Sequence, residues 1–345
     1  NAIHRVFRDS EGYMWYGTVN GLCRDDGYHV KVFRSDIETP GLLEDNLVEC
    51  IAEDKKGNIW FGTDKGVYIL DKSDYSVHPM DRERLKNIPV MYLYATSDGY
   101  MWLSYRSILA KYDINGQLVK EYPLRNKYGR TTISGFCESR NHEIIISVCN
   151  GRVYHLDKEK DEFVPYPDKM RRQNPTVMVQ DNEQDYFWLA TWGDGVVRFD
   201  PSAPEDSMFV YSEIPVNAAG EEDGVILSLV QDDKLGYIWL TTGHDFMSLQ
   251  IQPDKTLKQL KFQTGLLPVN HMLVEVLKGR GCLWVSAFDR PSFIVHLMDN
   301  MTKDYALPAL ADRVNRSPAV MALCDDGDGM MWMMQERTGV VLYDL

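Results

Sequence analysis

No Gly-x-Ser-x-Gly elbow, His-Glu-x-x-His pair, P-loop or Rossmann fingerprint occurs in these 345 residues, so the signatures of common hydrolytic, metallopeptidase and nucleotide chemistry are missing. Cysteine is scarce. The six cysteines include no C-x-x-C pair, and no histidine cluster lies at zinc-ligand spacing. So few in a chain this long do not make a disulfide framework. Cys50, Cys137 and Cys324 recur among apolar neighbours in equivalent positions, as buried small hydrophobes do. No apolar run approaches the ~18 residues that span a bilayer. Positive charge is in the minority, 37 Lys and Arg against 51 Asp and Glu, for a net charge of -14. That balance argues against non-specific contact with nucleic acid or anionic membrane, which needs clustered cations. No pattern for a cofactor or a metal is found. Asp325-Asp326-Gly327-Asp328-Gly329 looks like a calcium loop but lacks the downstream bidentate glutamate at EF-hand spacing, and it falls where other units make a hairpin turn.

What is present is a repeat. Gly12-Tyr13-Met14-Trp15-Tyr16-Gly17-Thr18 returns as Gly57-Asn58-Ile59-Trp60-Phe61-Gly62-Thr63, and weaker copies centre on Trp102, Ile145, Trp188, Trp239, Trp284 and Trp332. Subtracting successive centres gives steps of 45, 42, 43, 43, 51, 45 and 48 residues. A period in the forties with strand-like content predicts an all-β fold, a β-propeller of four-stranded antiparallel blades. The count is eight units in a single domain over residues 1–345. Seven blades plus the start of a second propeller is the alternative.

The second unit shows the grammar. Leu47–Asp54 reads as an apolar strand, Lys55-Lys56-Gly57 as a tight turn, and Asn58–Thr63 as a second strand. Val67–Asp71 and Tyr75–His78 follow as third and fourth strands. The tryptophans are expected to pack between blades, since an indole buries on the order of 200 Å². Ile145 can fill the same slot. Acidic first turns, such as Asp9-Ser10-Glu11 and Asp232-Asp233, read as solvated surface. The chain opens inside a repeat, so an upstream segment is expected. A strand from it could complete the eighth unit and join it to the first, closing the ring.

The pattern Asp9, Gly12, Trp15, Gly17, Thr18, Gly21, Leu22, with the opening Asn1–Asp9, resembles the two-component-regulator propeller repeat. The resemblance is strong in the first two units and eroded in the fourth and seventh. It implies the periplasmic sensor region of a Bacteroides-type hybrid two-component system: an inner-membrane protein with a histidine kinase and a DNA-binding regulator beyond this chain. It also implies a second propeller in the same chain, a homodimeric receptor, sensing of carbohydrate breakdown products, and control of polysaccharide-use genes. This domain itself is then not an enzyme.

Function is sought where the repeat breaks. The turns between second and third strands share one face with the segments that join blades, and binding residues concentrate on loops held by a rigid scaffold. The regular turn is Thr-x-x-Gly. Departures place Tyr105 and Arg106, Trp192 and Asp194, His244 and Asp245, Phe288 and Arg290, and Glu336 and Arg337 on that face. Arg130, Asn270, His271 and Arg316 join it from blade-linking segments. Aromatic rings with arginine and carboxylates suit an oligosaccharide-like ligand, and the arginines tilt it towards an acidic one. Trp192 stands out as the tryptophan off the repeat register. Contacts to another propeller or a dimer partner, or turns of no special role, are the competing readings. A carbohydrate-active propeller enzyme and a pure dimerisation scaffold are the rivals at the level of function.

Overall fold

The computed structural model describes residues 3–126, 129–130, 132–149, 151–167, 175–217, 220–232, 236–242 and 245–260, and beyond them the strands within 273–278, 282–287, 293–296, 320–325, 330–335 and 339–344. The chain divides into two compact units, residues 1–297 and 298–345. Among the described residues, the elements are strands apart from two short helical turns, Arg82–Leu85 and Glu205–Ser207.

In the first unit, six antiparallel four-stranded sheets follow one another, each with its strands in sequence order. Blade 2 is built from Val48–Glu53, Ile59–Thr63, Gly66–Leu70 and Val77–Met80. Contacts between blades run through first strands: Ile3–Arg8 meets Val48–Glu53, which meets Tyr92–Ala95, and Pro175–Gln180 meets Ile226–Gln231. First strands are therefore innermost and fourth strands form the rim.

A seventh, three-stranded sheet (Leu273–Lys278, Cys282–Ala287, Phe293–His296) follows. Its first strand contacts both Ile226–Gln231 and Ile3–Arg8. The expectation of eight four-stranded blades is therefore corrected. Six blades have four strands among the described residues, and the innermost strands of the seventh and first sheets already touch. The eighth unit (Val320–Asp325, Met330–Gln335, Gly339–Asp344) is a three-stranded sheet within residues 298–345.

The repeated phrase is the packing element. Trp15, Trp60, Trp102, Trp188 and Ile145 are each at most 1% exposed. Trp15 shares a cluster with Phe33 of its own blade and with Val48, Ile59 and Phe61 of blade 2, so it fills the space between sheets. Burying an indole of that size is worth a few kcal/mol at about 25 cal/mol/Å². Gly62 has a steric reason: a Cβ there would lie 2.5 Å from the Val90 carbonyl oxygen of the next blade.

The acidic turns divide. Ser10 and Glu11 are exposed, as expected, whereas Asp9 and Asp232 are buried, as are Asp54 and Asp181 at the equivalent positions, all at 3–6% exposure. The Asp54 carboxylate accepts the Trp60 indole N–H at 2.8 Å and the amides of Lys56 and Asn58 at 2.8 and 3.0 Å. Asp9 does the same for Trp15 at 2.9 Å, and Asp181 for Trp188 at 2.8 Å. A buried carboxylate is tolerated only when hydrogen-bonded, and here it locks the first hairpin to the aromatic slot.

Candidate ligand face

Backbone bonds fix where the turns between second and third strands go. Gly21 donates to the Asn46 carbonyl at 2.7 Å, Val90 to Thr63 at 3.1 Å, Leu124 to Ser107 at 2.8 Å, and Gly193 to Gly224 at 2.8 Å. In each pair one partner belongs to the turn or the strand end beside it, the other to a blade-joining segment. Both sets therefore share one face, as the sequence predicts. The threonine of the phrase holds the turn: Thr63 Oγ1 accepts the Lys65 amide and donates to the Gly66 carbonyl.

Trp192 follows such a threonine. Thr191 Oγ1 accepts the Asp194 amide at 2.9 Å and donates to the Gly195 carbonyl at 2.8 Å. Trp192 pairs with Val225 across an isolated bridge, and Gly193 and Gly195 both donate to the Gly224 carbonyl. The backbone is thus clamped while the side chain stays 56% exposed. A large aromatic held on a rigid backbone in solvent is a ready stacking platform. Of the ten exposed large apolar residues described, five lie on this face by their place in the chain: Val19, Ile37, Met91, Trp192 and Val216.

The segment beside Trp192, residues 212–225, is what sequence reasoning missed. Its signal was the longest step in the period, 51 residues between Trp188 and Trp239. The segment turns back on itself through a Val216–Glu222 bridge. The Gln259 side chain pins it, accepting the Val216 amide at 2.7 Å and donating to its carbonyl at 2.6 Å. It carries Glu213, Glu221, Glu222 and Asp223, its Gly224 carbonyl accepts the amides on either side of Asp194, and residues 190–195, 212–217 and 220–225 contain no Lys, Arg or His. The tilt towards an acidic ligand has no cation to rest on in this sector.

The other candidates divide. Arg106 is exposed and takes a left-handed backbone, φ 55, at the tip of its turn. Tyr105, beside it, is instead a core residue at 4% exposure whose hydroxyl donates to Glu121, the carboxylate that Arg84 pairs with at 3.0 Å. Burial, then the bond to Glu121, pushes its phenol up. Asp245 closes its own turn, its amide donating to Thr242 Oγ1 at 2.8 Å. Arg106, Trp192, Asp194 and Asp245 therefore lie on the one face, and Tyr105 points its hydroxyl into an inter-blade contact. His244, Phe288, Arg290, Glu336 and Arg337 lie outside the described residues, as do Asn270, His271, Arg316 and the side chain of Arg130. Residues 326–329 of the calcium-like run lie outside them too.

Among the described residues no group of three or more His, Cys, Asp or Glu is placed to hold a metal ion, and no helix is long and apolar enough to cross a membrane. One cluster mimics a catalytic triad. Ser97 Oγ and Glu138 both approach the same nitrogen of His142, Nδ1, at 2.8 and 3.0 Å. A relay needs the base and its orienting acid on opposite ring nitrogens, so this is not one.

Residues 42–65 match the model of the two-component regulator propeller family. No curated protein matches the chain. Among solved structures, the chain is similar to the extracellular domain of a one-component system of B. thetaiotaomicron, at 20% identity and TM-score 0.66, over 86% of this chain and 40% of that one. It thus spans two fifths of that domain's length. It is also similar to virginiamycin B lyase from Staphylococcus aureus, at 12% identity and TM-score 0.67, over 85% of this chain and 94% of the enzyme. A third likeness is to the propeller domain of Swd1 from Myceliophteria thermophila, at 10% identity and TM-score 0.60, over 86% and 95%. Three such different proteins at these identities share a fold, and function must come from the site.

Proposed function

We propose that this chain, whose second repeat is a two-component regulator propeller repeat, is the sensing propeller of such a system. It lies outside the cytoplasm and binds or relays a carbohydrate-derived signal that governs polysaccharide-use genes. The observation that carries the ligand reading is Trp192, more than half exposed on a backbone clamped by the Val225 bridge and the Gly224 carbonyl. An indole face takes the C–H face of a sugar ring, and Asp194 offers acceptors for hydroxyl groups. The 20% likeness to an extracellular domain of B. thetaiotaomicron supports the extracytoplasmic location. The domain acts by binding alone. Ligand stabilises one arrangement of this propeller with a second propeller and a dimer partner, and the kinase in the same protein reads that shift.

Calorimetry against a panel of neutral and charged oligosaccharides tests the reading. A bound glycan should lose about tenfold in affinity with Trp192→Ala, the scale of one stacking contact, and less with Arg106→Ala. Unchanged binding in both variants would remove this face from the reading. Turnover of any glycan by the purified chain would replace it with an enzyme.

A further inference from the structure

A second site lies where the outer strand of blade 2 meets the segment that joins blades 1 and 2. The segment joining those blades contributes Thr39, Pro40, Leu42 and Glu44 to one wall of an open groove of about 400 Å³. The outer strand of blade 2 supplies Val77 and Pro79, its third strand Tyr68, and the following helical turn Arg82. A smaller recess shares Glu44, Tyr68, Pro79 and Arg82 with the groove and adds Lys65 and Lys86. Both cavities thus meet at one place. The volume is within the range of small-ligand pockets, roughly 300–1,000 Å³.

The chemistry of the lining is two-sided. Pro40, Leu42, Val77 and Pro79 make an apolar wall. The two linings hold three cations, Arg82, Lys65 and Lys86, against one carboxylate, Glu44, with Asp45 beside Lys65, in a chain whose net charge is -14. Arg82 is 61% exposed and pairs with Glu44 at 2.6 Å; Lys65 stands 3.8 Å from Asp45. Lys86 has no ion-pair partner among the described residues. The Arg82 bond holds the Glu44 carboxyl below its usual range, and Lys86 and Lys65 add to the same field. The Tyr68 hydroxyl accepts the Glu44 amide at 2.7 Å and keeps its own hydrogen to donate.

We infer that this groove binds a small acidic sugar, a uronate, whose carboxylate docks on Arg82 and whose ring lies against the proline and leucine wall. An arginine fork matches a carboxylate in two parallel bonds, a geometry a lysine cannot give. Tyr68 donates to a ring hydroxyl. Lys65 and Lys86 draw the anion in at low salt. In the resting state Glu44 occupies Arg82, so it acts as an internal competitor for the incoming carboxylate. The site stands whether or not the Trp192 face binds anything.

Digalacturonate, its methyl ester and a short peptide with a free C-terminal carboxylate are titrated against this chain by calorimetry at low salt. Digalacturonate should bind, the uncharged ester at least tenfold more weakly, and the peptide no better than the ester. Arg82→Gln should cost tenfold or more, and Tyr68→Phe severalfold. Glu44→Gln should raise affinity severalfold, a gain that misfolding cannot produce. Trp192→Ala should change nothing. The inference is overturned by no binding at millimolar digalacturonate, by an ester that binds equally, by a peptide that binds more tightly, by Arg82→Gln without effect, or by loss of digalacturonate binding in Trp192→Ala.

Discussion

Blades 2 and 3 are neighbours with the same four strands, yet they anchor themselves by different chemistry. In blade 2 a buried carboxylate, Asp54, gathers the Trp60 indole and two turn amides into one knot. In blade 3 the same position is Thr96, and the Trp102 indole nitrogen is buried without an acceptor. That blade instead hangs its phenols on carboxylates around it: Tyr112 donates to Asp81 at 2.9 Å, Tyr122 to Asp161 at 2.7 Å, and Tyr105 to Glu121. In blade 4 both halves of the knot are gone, replaced by Ser139 and Ile145. In blades 1, 2 and 5 the carboxylate and the indole thus act as one unit. In blade 3 the loss of the carboxylate leaves the indole unsatisfied, and in blade 4 both are lost together.

The largest consequence concerns alkali. Burial first, and then the carboxylate bonds, push the Tyr105, Tyr112 and Tyr122 phenols well up, and burial does the same for Tyr94. A pKa raised by folding stabilises fully below the ordinary tyrosine value of about 10 and is lost as pH rises through the folded value. Tyr16 and Tyr186, in blades 1 and 5, are raised to about 12. The urea midpoint should therefore stay level near pH 9, fall steeply above pH 10, and reach unfolding near or above pH 12, together with tyrosinate absorbance. The triple replacement of Tyr105, Tyr112 and Tyr122 by Phe should flatten that fall. An unchanged slope would mean blade 3 is not the alkali-sensitive part.

Next in size is the knot itself. Asp54→Ala strands the indole and two amides, and should cost about 3 kcal/mol, the sum expected for a few buried unpaired donors partly rescued by water. Thr96→Ala in blade 3 removes bonds only to Asp98 and the Tyr100 carbonyl. It should cost about 1 kcal/mol. Equal losses in urea denaturation would erase the distinction between the two blades.

These knots are legible in the sequence as a spacing, though composition makes the turn at Asp9 look like plain surface. Asp9 precedes Trp15, and Asp54 precedes Trp60, by the same six residues. A three-residue turn, closed by the Asp54 amide on the Asn58 carbonyl, folds that distance back so that carboxylate and indole meet, whereas composition alone makes such a turn look solvated. The blade period was plain for the same reason: tryptophan slots are local phrases. Ring closure was not, because only contact between Leu273–Lys278 and Ile3–Arg8 decides it, and no local pattern encodes a meeting of residues so far apart. The site divides in the same way. Trp192 could be seen as off register, while the acidic segment beside it and the rim groove come from stretches distant in sequence. Tyr105 was misplaced because a strand-end residue and a turn residue look alike when the turn is only two residues long.

The smallest effect is the sharpest test of the comparison, because it asks whether blade 3 can be given the knot it lacks. Thr96→Asp should offer Trp102 its missing acceptor. Alone it also sets a second carboxylate two residues from Asp98, whose own charge is compensated by Lys111 at 3.6 Å. The single change should therefore be close to neutral, repulsion offsetting the new bond. Asp98→Asn removes that repulsion without adding a cation beside Lys111, and leaves Lys111 free to balance the new carboxylate. The double variant Thr96→Asp/Asp98→Asn should exceed the sum of the singles by about 1 kcal/mol in a urea double-mutant cycle, the size of one buried hydrogen bond. Slower exchange of the Trp102 indole hydrogen should accompany it. A cycle that closes to zero with unchanged indole exchange would mean that the slot in blade 3 has repacked around the missing carboxylate, and that the knot belongs to the hairpin of blade 2 rather than to the tryptophan.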